Sequence, residues 1–244
     1  MAILYIVMPA YNEAETITAV VEKWYPLLLS EDPASRLLIA DSGSTDETHE
    51  RLQTLQAGRY PKLRILEGTA REHGPKLMAL YREALRNGAD LIFQTDSDNQ
   101  TDPADYPAFR TAIEGSSAVI GVRRQRGDGA WRRFVEAVVC CLLRLYFGVR
   151  VPDANAPFRL MRREALERYL PLLPPDYALP NIMLTAFFVR GGEIVDFRDI
   201  TFRMRQSGRS SLNIRRMIGI GCRSLRDFAC FRRKIKRFPF EQRL

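Results

Sequence analysis

Apolar runs of strand length alternate with segments of helical periodicity along the first half of the chain. The predicted strands are residues 2–8, 36–40, 62–66 and 90–94. The predicted helices are residues 13–29, 46–57, 75–87 and 104–113. Buried strands that are separated by helices favour a mostly parallel sheet with helices on both faces, which is an α/β architecture.

Residues that favour helix ends support three of these helices. Asn12, followed by acids, is the expected N-cap of the first helix. The pair Asn87-Gly88 is the expected end of the third, and Asp102-Pro103 is the expected start of the fourth.

The second half of the chain is less regular. We expect a strand from residue 117, a helix over 131–148 with apolar residues on most of its faces, and a strand over 193–205. The segment 181–192 fits either helix or strand. Helix is favoured because Asn181 at its start can cap it and Gly191 can end it.

The net charge of +8 is concentrated near the end of the chain. From Arg203 onward thirteen lysines and arginines accompany two acids, whereas residues 1–202 carry 24 basic and 27 acidic side chains. The segment 211–231 predicts a basic amphipathic helix. Its apolar stripe contains Ile214, Met217, Ile218, Leu225 and Phe228. Such tails bind anionic lipid surfaces, nucleic acid or acidic partners.

Composition excludes several classes of protein. No apolar run approaches the roughly 20 residues that span a bilayer, and the first residues do not resemble a signal peptide. The four cysteines lack metal-binding spacing, and we expect buried, reduced thiols in a cytosolic protein. With two histidines in the chain, a histidine-rich metal site is excluded.

Polar and acidic residues follow three of the predicted strands. The segments are 9-PAYNE-13, 41-DSGSTD-46 and 96-DSD-98. Because ligands bind outside the carboxyl ends of the strands in such sheets, these segments predict one shared site.

The third of these segments has the residue types of a site for a hard cation. Asp96, Asp98 and Gln100 alternate in an extended segment, and a local kink could aim their oxygens at one point. Mg²⁺ and Mn²⁺ prefer such oxygens and leave further positions to substrate phosphates. The alternative is a turn rich in Asp and Asn before the next helix, a role that suits Asp102.

Candidate phosphate ligands are basic residues near the strand ends. They are Arg71, Lys76, Arg123, Arg133, Arg205 and Arg209. Arginine binds phosphate oxygens bidentately, although a solvated surface position is the alternative for each one singly.

Taken together, these segments resemble family 2 glycosyltransferases of the GT-A fold, in the dolichyl- or polyprenyl-phosphate sugar synthase branch. The matching segments are 8-MPAYNEAETI-17, 40-ADSGSTDET-48, 74-GPKLMALYREALRNGADLIFQTDSDNQTDP-103, 121-GVR-123, 153-DANAPFRLMRREAL-166 and 202-FRMRQSGRSS-211. They occur in the order of the family. The resemblance implies a catalytic domain over 1–210, with a nucleotide-binding half 1–125, an acceptor-binding half 126–210 and a basic tail 211–244.

The resemblance also implies a role for individual residues. Tyr11, Glu13 and Asp41 would contact the base and ribose of the donor, with Pro9, Lys76 and Ser97 in the same nucleotide-sugar site. Asp96 would approach the ribose, the sugar or the metal, and Asp98 with Gln100 would bind Mg²⁺ or Mn²⁺. Arg123, Arg133 and Arg205 match positions that hold phosphates.

The reaction implied by the family is inverting transfer of a sugar from a nucleoside diphosphate, linked to UDP or GDP. A hydroxyl acceptor needs a general base, whereas a phosphate acceptor is already anionic. Asp153 and Asp176 are the late carboxylates available for that role. The acceptor would be lipid-linked, either a polyprenyl phosphate or a sugar on a lipid carrier.

The chain departs from the family in two places. Ser42 replaces the second aspartate of the family's DDGS motif, and a basic helix stands where polyprenyl-phosphate enzymes often continue into transmembrane helices. We expect a peripheral protein at the inner face of the cytoplasmic membrane, bound to anionic lipid through this tail. The alternative is that the helix packs on the domain.

Other classes of function are less favoured. A nucleotidyltransferase would carry a glycine-rich basic segment after the first strand, where this chain has 9-PAYNEAET-16. No nucleic-acid-binding motif accompanies the basic tail, so no nucleic acid is expected. Intact Asp96, Asp98 and Gln100 argue against an inactive scaffold. Donor base, sugar and oligomeric state stay open, a homo-oligomer included.

Overall fold

The computed structural model describes residues 1–124, 130–203 and 226–235, and for 130–133 it describes the backbone alone. The described strands are β1 (Leu4–Ala10), β2 (Arg36–Asp41), β3 (Leu63–Leu66), β4 (Leu91–Gln94), β5 (Ala118–Val122), β6 (Arg159–Arg162) and β7 (Val195–Asp199). They form one sheet in the order β3-β2-β1-β4-β6-β5-β7.

The sheet is mostly parallel, as the alternation of strands and helices predicts. β1 pairs in parallel with β2 and β4, and β3 pairs in parallel with β2. β6 is antiparallel to both of its neighbours, β4 and β5, and it was not predicted as a strand. The chain leaves β1 toward β2 and β3, then returns to β4 on the other side of β1. This reversal of strand order marks the edge where ligands bind in open α/β sheets.

Helices cover both faces of the sheet. They are α1 (Ile17–Trp24), α2 (Thr48–Ala57), α3 (His73–Arg86), α4 (Tyr106–Ala112), α5 (Ala130–Phe147), α6 (Arg163–Tyr169) and α7 (Pro180–Arg190), followed by α8 (226–235). Successive strand residues point to opposite faces. Leu4, Ile6 and Met8 of β1 therefore pack in a core with α1, α2 and α4, whereas Tyr5 and Val7 pack with α3, α5, α6 and α7.

Two predicted helix starts were wrong. α1 begins at Ile17 with Thr16 as its N-cap, and Asn12 instead has a left-handed φ of 53° in the loop before it. The helix also ends early, because Pro26 and its neighbours form a 3₁₀ turn. Asn181 lies inside α7, where its buried side chain accepts a hydrogen bond from Tyr81 Oη.

Other predicted boundaries agree better with the structure. α7 is a helix that ends at Gly191, and Asn87 caps the end of α3. The Asp102 side chain accepts a hydrogen bond from the Ala104 amide, 3.1 Å away, and starts a 3₁₀ turn before α4. The last predicted strand is shorter than expected, since β7 covers five residues.

The described part of the basic tail packs on the domain. Phe228, Phe231 and Ile235 of α8 are at most 4% exposed and belong to the core that contains Phe147 and Phe187. Phe228 therefore does not face outward, and the other four residues of the predicted apolar stripe lie outside the described residues.

Two further expectations concern surface and membrane. Cys141 and Cys230 are exposed and Cys140 is half-buried, so the prediction that the thiols are buried was wrong at these positions. Cys222 lies outside the described residues. Within the described parts of the chain, we find no helix with the length and hydropathy needed to cross a membrane.

Candidate active site

The carboxyl ends of β1 and β4 are joined directly by a side chain. Ser97, which follows β4, donates a hydrogen bond from its hydroxyl to the carbonyl oxygen of Pro9, 2.8 Å away. The hydroxyl of Thr16 approaches the Ser97 carbonyl oxygen at 3.3 Å and the Glu13 carboxylate at 3.0 Å. These bonds place the predicted residues Pro9, Glu13 and Ser97 at the reversal of strand order.

The loop after β2 is tied to the loop after β1 by a turn at Asn12. The left-handed backbone at Asn12 turns its side-chain oxygen toward the Thr45 amide, 2.8 Å away. The Asn12 amide in turn donates to the Ser44 hydroxyl at 3.0 Å. Asparagine tolerates this backbone region better than most residues do. The predicted segments PAYNE and DSGSTD are therefore one connected wall of the site.

Asp41 lies at the end of β2 and is 4% exposed. Its Oδ1 accepts a hydrogen bond from the Ser44 hydroxyl, and its Oδ2 lies 3.2 Å from Nδ1 of His49. Both oxygens are thus held by neighbours, which fixes the direction in which their remaining lone pairs point. His49 was not predicted as a site residue.

Tyr11 is covered by two cationic side chains. The Arg71 guanidinium lies 4.6 Å from the Tyr11 ring centroid and donates a hydrogen bond to the Tyr11 hydroxyl. Lys76 Nζ lies 5.4 Å from the same centroid and donates to the Ala10 carbonyl oxygen. The Lys76 side chain is 1% exposed. Burial lowers the pKa of Lys76, against the negative charge of Asp41, which raises it.

Residues 96–100 form a kinked turn after β4. Asn99 has a φ of 58°, and the Gln100 amide donates to Asp98 Oδ1 at 3.2 Å. The Gln100 side-chain nitrogen donates to the Arg203 carbonyl oxygen at 2.7 Å. Because that bond uses the amide nitrogen, it fixes the position of the Gln100 side-chain oxygen as well.

His73, the first residue of α3, contacts the same turn. Its Nε2 lies 3.2 Å from Asp96 Oδ1, and its side chain is 54% exposed. Desolvation lowers the pKa of His73. The hydrogen bond and charge of Asp96 and the charge of Asp98 raise it by more, so the net shift is upward. Both histidines of the chain therefore lie against aspartates of the predicted site. Neither histidine was predicted as a site residue.

The donor set of this turn fits a divalent cation that also binds phosphate. Asp96 and Asp98 are partly exposed carboxylates, and Gln100 adds an amide oxygen. Mg²⁺ and Mn²⁺ take one or two carboxylates and fill the other positions with water and substrate phosphates. Among the described residues no three His, Cys, Asp or Glu side chains are grouped to hold a metal by themselves. The oxygens of Asp96, Asp98 and Gln100 thus fit a divalent cation that takes part of its ligands from other molecules.

Arg123 and Asp153 form a buried ion pair near the end of β5. Arg123 Nε and Nη2 donate to the two Asp153 oxygens at 2.8 and 2.9 Å, and Glu136 Oε2 lies 3.8 Å from Nη2. Both side chains are under 10% exposed. Burial lowers the pKa of Arg123, but its hydrogen bond to Asp153 and the two negative charges raise it overall. The pair holds the loop after α5 against the end of β5.

Asp176 lies on an exposed loop that contacts the N-terminus of α3. A Cβ on Gly74 would lie 2.3 Å from the Ala178 carbonyl oxygen and 2.5 Å from that of Tyr177. The loop therefore follows α3 at a distance that only glycine permits. This brings Asp176 to the same end of the sheet as His73.

Three predicted phosphate ligands lie outside the residues that the structure describes. They are the Arg133 side chain and the whole of Arg205 and Arg209.

Ser42, which stands where the family has aspartate, accepts hydrogen bonds from the amide and the hydroxyl of Thr69, both at 3.0 Å. It therefore links the loops after β2 and β3.

The sheet order, the helices on both faces and the acidic turn after β4 define the GT-A fold. The chain belongs to glycosyl transferase family 2, whose family model matches residues 5–170.

Curated relatives support the branch predicted from the sequence. The undecaprenyl-phosphate 4-deoxy-4-formamido-L-arabinose transferase of Photorhabdus laumondii is 24% identical over 216 residues, which cover 88% of this chain and 64% of the relative. The polyprenol monophosphomannose synthase of Mycolicibacterium smegmatis is 26% identical over 216 residues, which cover 85% of this chain and 80% of the relative. The chain spans about half to two thirds of the length of the arabinose transferases.

Solved structures support the fold. Glucosyl-3-phosphoglycerate synthase from Mycobacterium tuberculosis, in complex with Mn²⁺, UDP and glucosyl-3-phosphoglycerate, matches with a TM-score of 0.68. The match covers 95% of this chain and 80% of that chain, at 21% identity. At this identity the likeness defines the fold and not the substrate.

Proposed function

We propose that the protein is an inverting, metal-dependent glycosyltransferase that moves a sugar from a nucleoside-diphosphate donor to a polyprenyl phosphate or another lipid-linked acceptor. The observation that carries this proposal is the convergence of Tyr11, Asp41 and the turn 96–100 at the ends of three adjacent strands. An aromatic ring and a fixed carboxylate suit a base and ribose, and the acidic turn suits a cation with its diphosphate.

The donor would lie across β2, β1 and β4. Tyr11, Glu13 and Asp41 would hold the nucleoside, while Asp98 and Gln100, assisted by Asp96, would hold Mg²⁺ or Mn²⁺. When bound, such a cation stabilises the charge that develops on the leaving diphosphate. A relative of the same fold that is crystallised with Mn²⁺ and UDP supports this arrangement.

The surroundings of Asp153 and Asp176 favour a phosphate acceptor over a hydroxyl acceptor. Both oxygens of Asp153 accept hydrogen bonds from Arg123, so this carboxylate is engaged in holding the loop. Asp176 is then the remaining candidate for a general base. A phosphate acceptor needs none. Relatives named as undecaprenyl-phosphate and polyprenol transferases support the same choice.

The first experiment tests donor and cation together. The full chain is incubated with UDP- and GDP-sugars, Mn²⁺ or Mg²⁺, and a polyprenyl phosphate, and glycolipid formation is measured. Cation binding is followed separately by the Mn²⁺ resonance signal in the presence of UDP or GDP. We expect Asp98→Asn to lose both signals. The matched control Asp32→Asn should keep both, because Asp32 precedes β2 at the opposite end of the sheet from the turn 96–100, where its carboxylate accepts from the Ala34 amide.

A second variant separates the two acceptor classes. With a phosphate acceptor, we expect Asp176→Asn to retain activity within about threefold, since no proton has to be removed. A loss of a hundredfold or more would instead indicate general-base catalysis on a hydroxyl. If no nucleotide-sugar binds and Asp98→Asn changes nothing, the enzyme proposal is wrong.

A further inference from the structure

The solvent-facing side of α5 is apolar. Phe134, Val138 and Leu145 are 59%, 41% and 68% exposed, and Cys141 between them is also exposed. Their spacing of four, three and four residues aligns them along one side of the helix. Leu143 and Phe147, which lie on the opposite side, are at most 3% exposed and belong to the core. A helix that buries one apolar side usually has a polar outer side, whereas the outer side of α5 carries these four apolar side chains between residues 134 and 145.

We propose that this outer side of α5 lies against an anionic bilayer, and that lipid phosphates bind between Arg190 and Arg232 at its C-terminal end. The proposal rests on the proposed function in one respect, since a lipid-linked acceptor would explain why the protein binds a membrane. The exposed apolar residues and the nearby charges that support it do not depend on that function. We call the surface formed by Phe134, Val138, Cys141 and Leu145 the α5 face.

The charges beside the α5 face select the kind of partner. Exposed cationic residues lie at its C-terminal end and on α8, which contacts α5 through Tyr146 and Phe147. They are Arg144, Arg150, Arg190, Arg226, Arg232, Arg233 and Lys234. A second copy of the chain would bring like charges together, whereas anionic lipid headgroups complement them. Apolar side chains flanked by such charges are typical of surfaces that enter the membrane interface.

A cavity between α5, α7 and α8 offers a place for a headgroup phosphate. It has a volume of about 250 Å³. It is lined by Leu145, Tyr146, Phe147, Gly148, Arg190, Arg232 and Ile235. Leu145 belongs both to the cavity and to the α5 face, so the two features are continuous. Two guanidinium groups can bind phosphate oxygens with well-defined geometry.

The first turns of α5 lie beside the candidate active site. Glu136 accepts a hydrogen bond from the Ala154 amide at 2.8 Å and lies 3.8 Å from Arg123. From Phe134 to Leu145 the helix rises roughly 16 Å. Glu136 lies on the side of α5 opposite Phe134, so a bilayer along the α5 face would lie about one helix diameter, roughly 10 Å, from the loop that Asp153 and Arg123 hold.

The same geometry limits the role of the described part of the tail, α8. The apolar residues Phe228, Phe231 and Ile235 are used inside the protein, so α8 contributes its basic side to the surface. The apolar contact with lipid would come from α5, a helix of the domain itself.

The test is flotation of the full chain with vesicles of phosphatidylglycerol and phosphatidylcholine, compared with phosphatidylcholine alone. We expect Val138→Glu/Leu145→Glu to reduce binding to anionic vesicles by roughly tenfold or more. The matched control is Leu29→Glu, because Leu29 is 69% exposed and lies after α1, away from α5. Thermal unfolding checks that all variants are folded.

A second variant tests the phosphate site. We expect Arg190→Ala/Arg232→Ala to weaken binding to anionic vesicles by roughly tenfold while leaving the weaker binding to phosphatidylcholine unchanged. Sedimentation velocity without lipid tests whether a second copy of the chain, and not a membrane, covers the α5 face. A dimer that dissociates in Val138→Glu/Leu145→Glu would overturn the proposal and make the α5 face a contact between copies.

Donor binding distinguishes this inference from the proposed function. The glutamate variants should bind Mn²⁺ with UDP or GDP as the unaltered chain does, because α5 does not carry the turn 96–100. If they bind vesicles like the unaltered chain, the membrane inference is wrong and the proposed function stands. If the unaltered chain binds vesicles but no nucleotide-sugar, the proposed function fails and the membrane surface stands.

Discussion

At the scale of single residues, His49 and Ser44 together hold the carboxylate of Asp41 at the candidate site. His49 Nδ1 lies 3.2 Å from Asp41 Oδ2, while Ser44 holds the other oxygen. We expect His49→Ala to raise the KM for the nucleotide-sugar three- to tenfold, roughly the worth of one hydrogen bond, with a smaller change in kcat. His49→Asn can still donate near the same position and should restore most of the affinity. Equal KM values in all three proteins would exclude this positioning role.

Asp46 links the loop after β1 to the start of α2. Its carboxylate accepts hydrogen bonds from the Ala14 amide and from the amide of Thr48, each at 3.1 Å. Partial burial raises the pKa of Asp46, but these bonds and one from the Thr48 hydroxyl lower it overall.

The lowered pKa gives a prediction for stability against pH. A carboxylate with a lower pKa in the folded protein stabilises it above the unfolded pKa and loses this effect as pH falls through the folded pKa. We expect Asp46→Asn to lower the free energy of unfolding at pH 7 by less than about 1 kcal/mol, since the residue is exposed. Denaturation at pH 7 and pH 3 should show the difference becoming smaller at the lower pH.

The site was partly predictable from sequence for a physical reason. Residues that directly follow a strand lie at a known edge of the sheet, so Tyr11, Asp41 and Asp98 could be placed together before their geometry was known. His49 and His73 could not be placed, because their contacts depend on how loops and helix starts fold across the strand ends. Lys76 is buried against Ala10, which its charge alone did not predict.

At the scale of elements, the N-terminus of α3 depends on one glycine. A Cβ at Gly74 would meet backbone oxygens of Tyr177 and Ala178 within 2.5 Å, and backbone cannot move aside as a side chain can. We expect Gly74→Ala to destabilise the protein by about 1–3 kcal/mol through overpacking and to lower activity by displacing the Asp176 loop. Denaturant unfolding is the measurement.

The control for this prediction is Gly115→Ala. A Cβ at Gly115 would have no atom within 4 Å, so the change should be near neutral. If both alanine variants unfold at the same denaturant concentration, the close approach of α3 and the Asp176 loop is not part of the folded structure.

The elements themselves were predictable where hydrophobic pattern and turn residues agree. The first four strands and the end of α3 follow from apolar runs and from Asn87-Gly88. β6 was missed because it contains two arginines within four residues, and one of them, Arg159, is fully buried. Arg159 is accepted there because its guanidinium donates to the carbonyl oxygens of Ala156 and Asn181. Such compensation is set by tertiary contacts and leaves no periodic signal in the sequence.

At the scale of the whole molecule, the basic end of the chain is partly a structural element of the domain. Phe231 of α8 lies 5.2 Å from the Tyr177 ring and 5.9 Å from the Phe187 ring, centroid to centroid. Tyr177 in turn belongs to the loop that touches Gly74 at the start of α3. Through Tyr177, α8 therefore supports the loop that carries Asp176 and the start of α3.

These contacts predict that the buried aromatic side of α8 contributes to the stability of the protein, whereas its exposed basic side does not. We expect Phe231→Ala to lower the free energy of unfolding by about 3–5 kcal/mol, because a large buried ring leaves a cavity between α7 and the Asp176 loop. Arg233→Ala, two residues along the same helix, should change it by less than about 0.5 kcal/mol, since Arg233 is exposed. Urea denaturation of the full chain measures both values. Similar small losses for the two variants would mean that α8 is only an appended tail.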